Sequence, residues 1–210
     1  MEENLTNITF EKGQSCDSFY KILIVGDSQV GKTSLIKMAL IKQFPKTYLQ
    51  TDSYNFYNLK AKINTKELNF RIFDMCGNED YINKIADNFF TNISIAIIVY
   101  DITSRKSYND VDNWIGILER TEVENAILVG NKVDLSESQR KVSEEELQKK
   151  CDSYKMIKKG LECSASDGTK VNEIFEEAIR IVYDKEKDNL KENTELVPKQ
   201  KKKGCCPSCQ

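Results

Sequence analysis

Histidine is absent from the 210-residue chain. This absence excludes nucleophile systems that pair Ser or Cys with His, acid–base catalysis by imidazole, and zinc sites with histidine ligands. An excess of one charge is missing too, because 31 basic residues face 33 acidic ones and the net charge is -2. The chain as a whole is therefore not a basic nucleic-acid binder, and we expect no nucleic-acid partner.

Long apolar runs are also lacking. The longest, residues 95–100, is far shorter than the roughly 20 residues of a transmembrane helix. Residues 1–17 are polar and acidic, so we expect no secretory signal. Four of the seven cysteines are scattered, which is typical of reduced thiols in a cytosolic protein; they are Cys16, Cys76, Cys151 and Cys163.

Strand and helix patterns alternate between residues 20 and 183. The chain is 40% hydrophobic and 30% charged, which is typical of a globular domain with one sizeable core. Apolar runs and periodicity predict strands over 20–25, 54–62, 67–73, 93–100 and 126–129, and helices over 32–43, 107–120 and 171–182. A short polar helix is expected over 144–150 and a weak edge strand over 158–162. This alternation predicts parallel βαβ units in a three-layer α/β domain. We expect residues 1–19 to be a flexible extension and residues 184–210 to be a flexible tail.

A phosphate-binding loop is predicted at residues 26–33. Their sequence, G-D-S-Q-V-G-K-T, fits the pattern G-x-x-x-x-G-K-[ST] between a strand and a helix. Glycines let the backbone wrap a phosphate, Lys32 adds positive charge at the β- and γ-phosphates, and the Thr33 hydroxyl suits Mg²⁺. The predicted nucleotide contacts here are Ser28, Gln29, Val30, Gly31, Lys32, Thr33 and Ser34.

A second pattern, N-K-V-D at residues 131–134, favours guanine as the base. The Asp134 carboxylate can accept hydrogen bonds from both N1–H and the 2-amino group of guanine, a donor pair that adenine lacks. Residues 162–165, E-C-S-A, form a second loop whose backbone N–H groups can reach the guanine O6. An ATPase or a small-molecule kinase is the remote alternative, and Asn131 and Asp134 oppose it.

With D-M-C-G-N-E at residues 74–79, these ordered motifs resemble the Ras superfamily of small GTPases. The loop at 26–33, the stretches 97–103 and 107–114, and the paired cysteines of the tail are similar to the Rab branch. The resemblance implies a three-layer P-loop domain with a mostly parallel sheet and helices on both faces. It also implies GTP/GDP and Mg²⁺ as ligands, GTP hydrolysis, and a role in vesicle traffic.

The resemblance assigns roles residue by residue. Lys32 holds the phosphates, Thr33 and Thr51 ligate Mg²⁺, Asp74 holds Mg²⁺ through water, and the Gly77 N–H senses the γ-phosphate. With GTP bound, loops near 44–53 and 74–90 become ordered. The implied catalytic set is Lys32, Thr51, Gly77 and Asn78, and the implied base contacts are Phe44, Asn131, Lys132, Asp134, Ser164, Ala165 and Ser166.

Asn78 departs from the family, which has glutamine here to orient the attacking water. Asparagine reaches about 1.5 Å less far. A misplacement near 1 Å can lower a rate by about 10²-fold, so we predict slow intrinsic hydrolysis. Two alternatives stay open: a partner supplies the missing groups, or the protein is a GTP-binding module with little hydrolysis that recruits effectors. Gln29 also replaces a common glycine, and we interpret that change as tolerated variation.

The tail predicts a membrane anchor. Four lysines lie within residues 199–203, just before Cys205 and Cys206. Each lysine near an anionic leaflet contributes about 1 kcal/mol, and a pair of lipid chains holds stably. The paired cysteines resemble Rab substrates of double geranylgeranylation, so we predict lipidation of Cys205 and Cys206 and leave Cys209 open. The expected location is the cytosolic face of intracellular membranes, exchanging with the cytosol. The expected partners are effectors at the switch loops, an exchange factor, a GTPase-activating protein, the prenylation machinery and a GDP-dissociation inhibitor.

Overall fold

The computed structural model describes residues 8–15, 18–84, 91–121 and 123–195. The strands within these residues are β1 (Ile8–Lys12), β2 (Tyr20–Val25), β3 (Tyr54–Ile63), β4 (Lys66–Met75), β5 (Ile93–Asp101), β6 (Ala126–Asn131) and β7 (Ile157–Glu162). The helices that the structure describes are α1 (Lys32–Ile41), α2 (Glu79–Lys84), α3 (Arg105–Asn109), α4 (Val111–Arg120), α5 (Ser136–Gln139), α6 (Glu144–Ser153) and α7 (Val171–Glu195), and a 3-10 turn covers Val133–Leu135.

The strands form one sheet in the order β1-β3-β4-β2-β5-β6-β7. The pairs β4–β2, β2–β5, β5–β6 and β6–β7 are parallel, whereas β3 is antiparallel to both β4 and β1. A tight turn at Asn64 and Thr65 joins β3 to β4, and Asn64 adopts a φ of +55° there, as this residue type does readily in tight turns.

Both faces of the sheet are covered by helices. Successive residues of the central strand β2 point to opposite faces, so they pack in different clusters. Ile22 and Ile24 pack in one cluster with Leu35 of α1 and Phe175 of α7. Leu23 and Val25 pack in another cluster, on the opposite face, with residues of α4 and α6 that include Trp114, Leu118 and Leu147. The predicted three-layer α/β architecture is confirmed.

The structure differs from the predicted elements at both ends of the domain. β1 lies within the predicted extension 1–19 and pairs with residues 59–63 of β3, while the Phe10 ring packs 6.0 Å from the Phe175 ring. α7 continues to Glu195, beyond the predicted end at 182. Its added turns are charged but contain neither Pro nor Gly, so the helix propensity of these residues allows the helix to continue. Residues 196–210 of the predicted tail lie outside the described residues.

Two local differences concern helices. The predicted helix 107–120 is two helices, α3 and α4, that meet at Asp110. The short helix α2 was not predicted, because six residues are too few to show a clear apolar period. Within the described part of the chain, no helix is both long and apolar enough to cross a membrane.

Candidate nucleotide-binding site

The candidate site lies at the carboxyl ends of the parallel strands. β2 runs into the 26–31 loop, Asp74 lies at the end of β4, and Asn131 ends β6. Ligands of open α/β sheets bind at this edge, because loops from neighbouring strands converge there. The sheet therefore brings together motifs that are far apart in the sequence.

Two glycines shape the phosphate loop. Gly26 has a φ of +136° and Gly31 a φ of +102°, in a region that side chains rarely adopt. A Cβ atom on Gly26 would lie 2.1 Å from the Val99 carbonyl oxygen, and one on Gly31 would lie 2.2 Å from Asn131 Nδ2. Only glycine fits at either position, so the loop packs closely on β5 and β6 before it enters α1.

The Lys32 ammonium lies inside this loop. Its Nζ donates hydrogen bonds of 2.7 Å to the carbonyl oxygens of Gly26 and Asp27. The residue is 6% exposed, and burial lowers the pKa of Lys32 to about 8. The loop thus holds a poorly solvated cation at its centre, which attracts an anionic ligand strongly.

Three oxygen-bearing side chains meet at the start of α1. The Thr33 hydroxyl donates to Asp74 Oδ2 at 2.7 Å and lies 3.2 Å from Thr51 Oγ1. Asp74 is fully buried, and burial raises the pKa of its carboxyl group. Its Oδ1 atom has no hydrogen-bond partner among the described residues. An orphaned carboxylate oxygen beside two hydroxyls fits Mg²⁺ and the water that Mg²⁺ binds.

Asn131 joins the loops at the other end of the site. Its Nδ2 donates to the Val30 carbonyl oxygen at 2.8 Å, and its Oδ1 accepts from the Ala165 N–H at 3.0 Å. The buried Ser164 donates from its hydroxyl to Asp134 Oδ1 at 2.7 Å. The two predicted base-binding loops therefore contact each other, and both are anchored to the phosphate loop.

Lys132 and Phe44 are the two predicted residues that flank the base. Lys132 leaves β6 with a φ of +73°, and its ammonium pairs with Asp101 Oδ2 at 2.6 Å. This ion pair holds the lysine stem along the cavity wall. Phe44 lines the same cavity and is 49% exposed, so its ring is free to pack on a ligand.

A cavity of about 570 Å³ follows these loops, a size that is typical of small-molecule sites. Asp74 lies beneath Thr33, whereas Val30 and Ser164 support the cavity wall through their hydrogen bonds to Asn131 and Asp134. Asn78 borders an adjoining polar cavity of about 750 Å³. The other predicted contacts line the first cavity: Ser28, Gln29, Gly31, Lys32, Thr33, Ser34, Phe44, Thr51, Gly77, Asn131, Lys132, Asp134, Ala165 and Ser166.

Comparison with known proteins decides the family. The sequence profile of the Ras family matches residues 21–184. The chain belongs to the Ras family. Ras-related protein Rab-7a from Paramecium octaurelia is 30% identical over 201 residues, which is 89% of this chain and 96% of that protein. Ras-related protein Rab-8B from Pongo abelii is 34% identical over 162 residues, or 76% of each chain. GTP-binding protein yptV2 from Volvox carteri is 34% identical over 161 residues, or 76% of this chain and 73% of that protein.

These matches make the chain a Ras-superfamily GTPase of the Rab type, as its motifs predicted. GTP and GDP are the nucleotides that Ras-family GTPases bind. The predicted fold class is confirmed as well, because the observed sheet and its helix layers are those of a P-loop GTPase domain.

Asn78 has a local structural role in this Rab-type GTPase that its sequence position did not reveal. Its Oδ1 accepts a hydrogen bond from the Tyr81 N–H at 3.2 Å, so the side chain caps the N-terminus of α2. Asparagine is among the best residues for such a cap. The carboxamide oxygen is therefore engaged with its own helix.

Sequence analysis missed the groups behind the phosphate loop. The Trp114 indole N–H donates to Asp27 Oδ1 at 2.9 Å, and Asp27 is buried enough that the pKa of its carboxyl group is raised. The Ser28 hydroxyl donates to the Gly77 carbonyl oxygen at 3.2 Å, and a Cβ atom on Gly77 would lie 2.1 Å from Ser28 N. The chain after β4 thus lies directly against the loop, a contact between segments that periodicity cannot reveal.

Gln50 was also missed. It borders both the first cavity and the adjoining one, just before Thr51. Its position beside a predicted Mg²⁺ ligand is the one signal that could have marked it.

Proposed function

We propose that this Rab-type GTPase is a GTP/GDP switch that binds Mg²⁺ with its nucleotide, hydrolyses GTP slowly and regulates vesicle or membrane traffic. The observation that carries the proposal is the grouping of the Lys32 ammonium with the oxygens of Thr33, Thr51 and Asp74 at one end of the cavity. One cation and three oxygen donors suit a triphosphate with its Mg²⁺ ion.

In this proposal the Thr33 and Thr51 hydroxyls hold Mg²⁺ directly, and Asp74 holds it through water. When bound, Mg²⁺ neutralises negative charge on the phosphates. Lys32 and the backbone N–H groups of the 26–31 loop bind the β- and γ-phosphates. Asp134 accepts the two N–H donors of guanine, which adenine does not offer.

The switch follows from the packing of Gly77 on the phosphate loop. Thr51 and the Gly77 N–H are the proposed sensors of the γ-phosphate, and the Ser28–Gly77 hydrogen bond holds the second sensor in place. Loss of the γ-phosphate removes the ligand that both segments share and releases them. Exposed apolar side chains next to these sensors are the proposed effector surface: Phe44, Tyr48, Leu49, Tyr54 and Phe56.

Slow hydrolysis follows from Asn78. Its carboxamide is shorter than that of glutamine, and its oxygen already accepts the Tyr81 N–H. Orientation of the attacking water is the task of this position in related switches, so the geometry favours a low intrinsic rate. The same hydrogen bond favours the second candidate, a GTP-binding module that recruits effectors and has little or no intrinsic hydrolysis.

The proposed membrane anchor lies outside the described residues. Cys205 and Cys206 would carry two lipid chains, and the lysines of 199–203 would add attraction to an anionic leaflet. The proposed location is the cytosolic face of intracellular membranes, in exchange with the cytosol. The proposed regulators are an exchange factor, a GTPase-activating protein, the prenylation machinery and a GDP-dissociation inhibitor.

Nucleotide competition tests the proposed function. Purified protein loaded with fluorescent GDP is challenged with GTP or ATP, in wild type and in Asp134→Ala. We expect wild type to prefer GTP, and the variant to lose at least about 10²-fold of that preference because its base site lacks the acceptor. Glu137→Ala, on α5 just beyond the site, is the matched control and should keep it. Equal displacement of GDP by GTP and ATP in wild type would contradict the proposal.

A further inference from the structure

The phosphate loop carries a carboxylate of its own. Asp27 follows Gly26 in the loop, and its backbone carbonyl oxygen accepts a hydrogen bond from the Lys32 ammonium at 2.7 Å. Burial lowers the pKa of Lys32, and the charges of Asp74 and Asp27 oppose that lowering, so the Asp27 carboxylate is felt at the centre of the loop. A negative side chain this close to a bound phosphate weakens the binding unless it is held aside.

The Asp27 side chain lies outside the nucleotide cavity. Asp27 borders the adjoining polar cavity, whereas Ser28 is the first residue of the loop that lines the nucleotide cavity. The Oδ1 atom of Asp27 accepts the Trp114 indole N–H at 2.9 Å, and the side chain of Asp27 is 14% exposed. The carboxylate is thus held against α4 and not among the groups that surround the nucleotide.

Among the described residues, two side chains donate to the Asp27 carboxylate, and they differ in burial. Lys106 Nζ lies 3.5 Å from Oδ2, but its side chain is 80% exposed and also contacts Asp110. Exposed ion pairs contribute little, because water and salt screen them. Trp114 is 1% exposed and packs in one cluster with Leu118, so its N–H has a fixed position. A buried indole N–H needs a partner, and a carboxylate is a strong one, so Trp114 determines where this carboxylate lies.

The peptide between Asp27 and Ser28 is also in contact with the chain after β4. A Cβ atom on Gly77 would lie 2.1 Å from Ser28 N and 2.4 Å from the carbonyl carbon of Asp27. The Ser28 hydroxyl donates to the Gly77 carbonyl oxygen at 3.2 Å. A shift of Asp27 therefore moves both the carbonyl oxygen that binds Lys32 and the peptide on which Gly77 packs.

We infer that Trp114 is a positioning residue of the nucleotide site, whose indole N–H holds the Asp27 carboxylate away from the phosphates and fixes the loop around Lys32. This inference rests on the proposed function, which places the phosphates in this loop. Trp114 lies behind the loop and acts on the nucleotide through Asp27. Supporting groups of this kind determine how accurately the groups that contact a ligand are placed.

A double-mutant cycle on nucleotide release tests whether Trp114 acts through Asp27. The full chain is loaded with Mg²⁺ and labelled GDP, and release is measured for wild type, Trp114→Phe, Asp27→Ala and the double variant. We expect Trp114→Phe to release GDP about 10-fold faster than wild type, which is the effect of one hydrogen bond to a charged group. In the Asp27→Ala background, the same substitution should change the rate by less than about twofold, because no carboxylate remains to be held.

Tyr108→Phe is the matched control. The Tyr108 hydroxyl donates to the Glu146 carbonyl oxygen at 2.7 Å, and its ring packs in the same cluster as Trp114. This variant also loses one hydrogen bond of that helix layer, but not one that reaches the phosphate loop. It should therefore release GDP at the wild-type rate.

Asp27→Glu is a second variant, and it leaves the core intact. It keeps the negative charge, and its additional methylene displaces the carboxylate by about 1.5 Å from its place beside the indole. We expect Asp27→Glu to release GDP severalfold faster than Asp27→Ala, which has no charge to misplace.

The indole N–H resonance reports the contact without a nucleotide assay. The chain has one tryptophan, so isotope-labelled protein gives one indole N–H signal in its NMR spectrum. A hydrogen bond to a carboxylate shifts such a signal downfield. Asp27→Ala should therefore move the signal upfield, and by more than Tyr108→Phe moves it.

The outcomes separate this inference from the proposed function. If wild type binds GDP and Trp114→Phe releases it at the wild-type rate, or equally faster in both backgrounds, the inference is overturned and the proposed switch stands. Equal release by Asp27→Glu and Asp27→Ala, or an indole signal that Asp27→Ala leaves in place, also overturns it; these two measurements decide if Trp114→Phe does not fold. If wild type binds neither GDP nor GTP, the proposed function falls as well. Faster release that depends on Asp27 supports the inference.

Discussion

The Thr33 hydroxyl donates to Asp74 Oδ2 at 2.7 Å, and this hydrogen bond joins the first turn of α1 to the end of β4. Thr51 Oγ1 lies 3.2 Å from the same hydroxyl, although it belongs to the irregular connection after α1. Three segments thus meet at one point beside the Lys32 ammonium. The proposed Mg²⁺ site depends on this meeting point, because one phosphate and one Mg²⁺ ion can touch all three segments there.

Removal of the Thr33 hydroxyl tests the Mg²⁺ site. Thr33→Ala should release GDP at least about 10-fold faster than wild type in the presence of Mg²⁺, since a first ligand is lost. After chelation with EDTA, the two proteins should release GDP at the same rate. Thr65→Ala, in the β3–β4 turn, is the control. A variant that stays as slow as wild type in Mg²⁺ would show that Thr33 does not hold the metal.

Close packing of the phosphate loop predicts a contrast between two glycines. Gly31→Ala should lower the free energy of unfolding by about 2 kcal/mol or more, because its Cβ would lie 2.2 Å from Asn131 Nδ2 and its φ is +102°. Gly116→Ala should raise it by about 0.5–1 kcal/mol, since that Cβ meets no atom within 4 Å and alanine favours α4. Urea unfolding of the two variants measures both; similar values for them would contradict the described loop.

The tail prediction is tested by mass and partitioning. After reaction with prenylation machinery, wild type should gain two lipid chains and bind vesicles stably. The double variant Cys205→Ser and Cys206→Ser should gain none and remain in the supernatant, because the lysines alone hold weakly. Cys209→Ser is the control and should keep both chains. Two lipids on the double variant would assign the modification elsewhere.

Much of the fold follows from sequence patterns, for physical reasons. Buried strands such as residues 126–129 are continuous apolar runs. The glycines of the 26–33 loop, between a strand and a helix, are typical of a phosphate-binding loop. β1 escaped prediction because its edge pairing depends on Phe10 reaching Phe175, a contact between the two ends of the domain. The outer part of α7 escaped because charge alternation is typical of a linker and of an exposed helix alike.

The site shows a similar division. Spacing was enough to find Lys32, Thr33 and Asp134, since each has a fixed place in a short motif. The cap that Asn78 makes on α2 depends on a turn of only four residues whose geometry is absent from the sequence pattern. The positive φ of Gln29 is likewise absent from the sequence pattern.

Single-turnover hydrolysis of bound GTP by wild type and Asn78→Gln tests the central claim most directly. The account predicts that the variant is at least about 10-fold faster, because a glutamine carboxamide reaches the attacking water and an asparagine committed to α2 does not. Asn172→Gln, on the exposed start of α7, should keep the wild-type rate. Equal rates for wild type and Asn78→Gln would contradict the account, because they would show that the side chain at position 78 does not limit hydrolysis; equal and ordinary rates would make this protein an ordinary cycling switch.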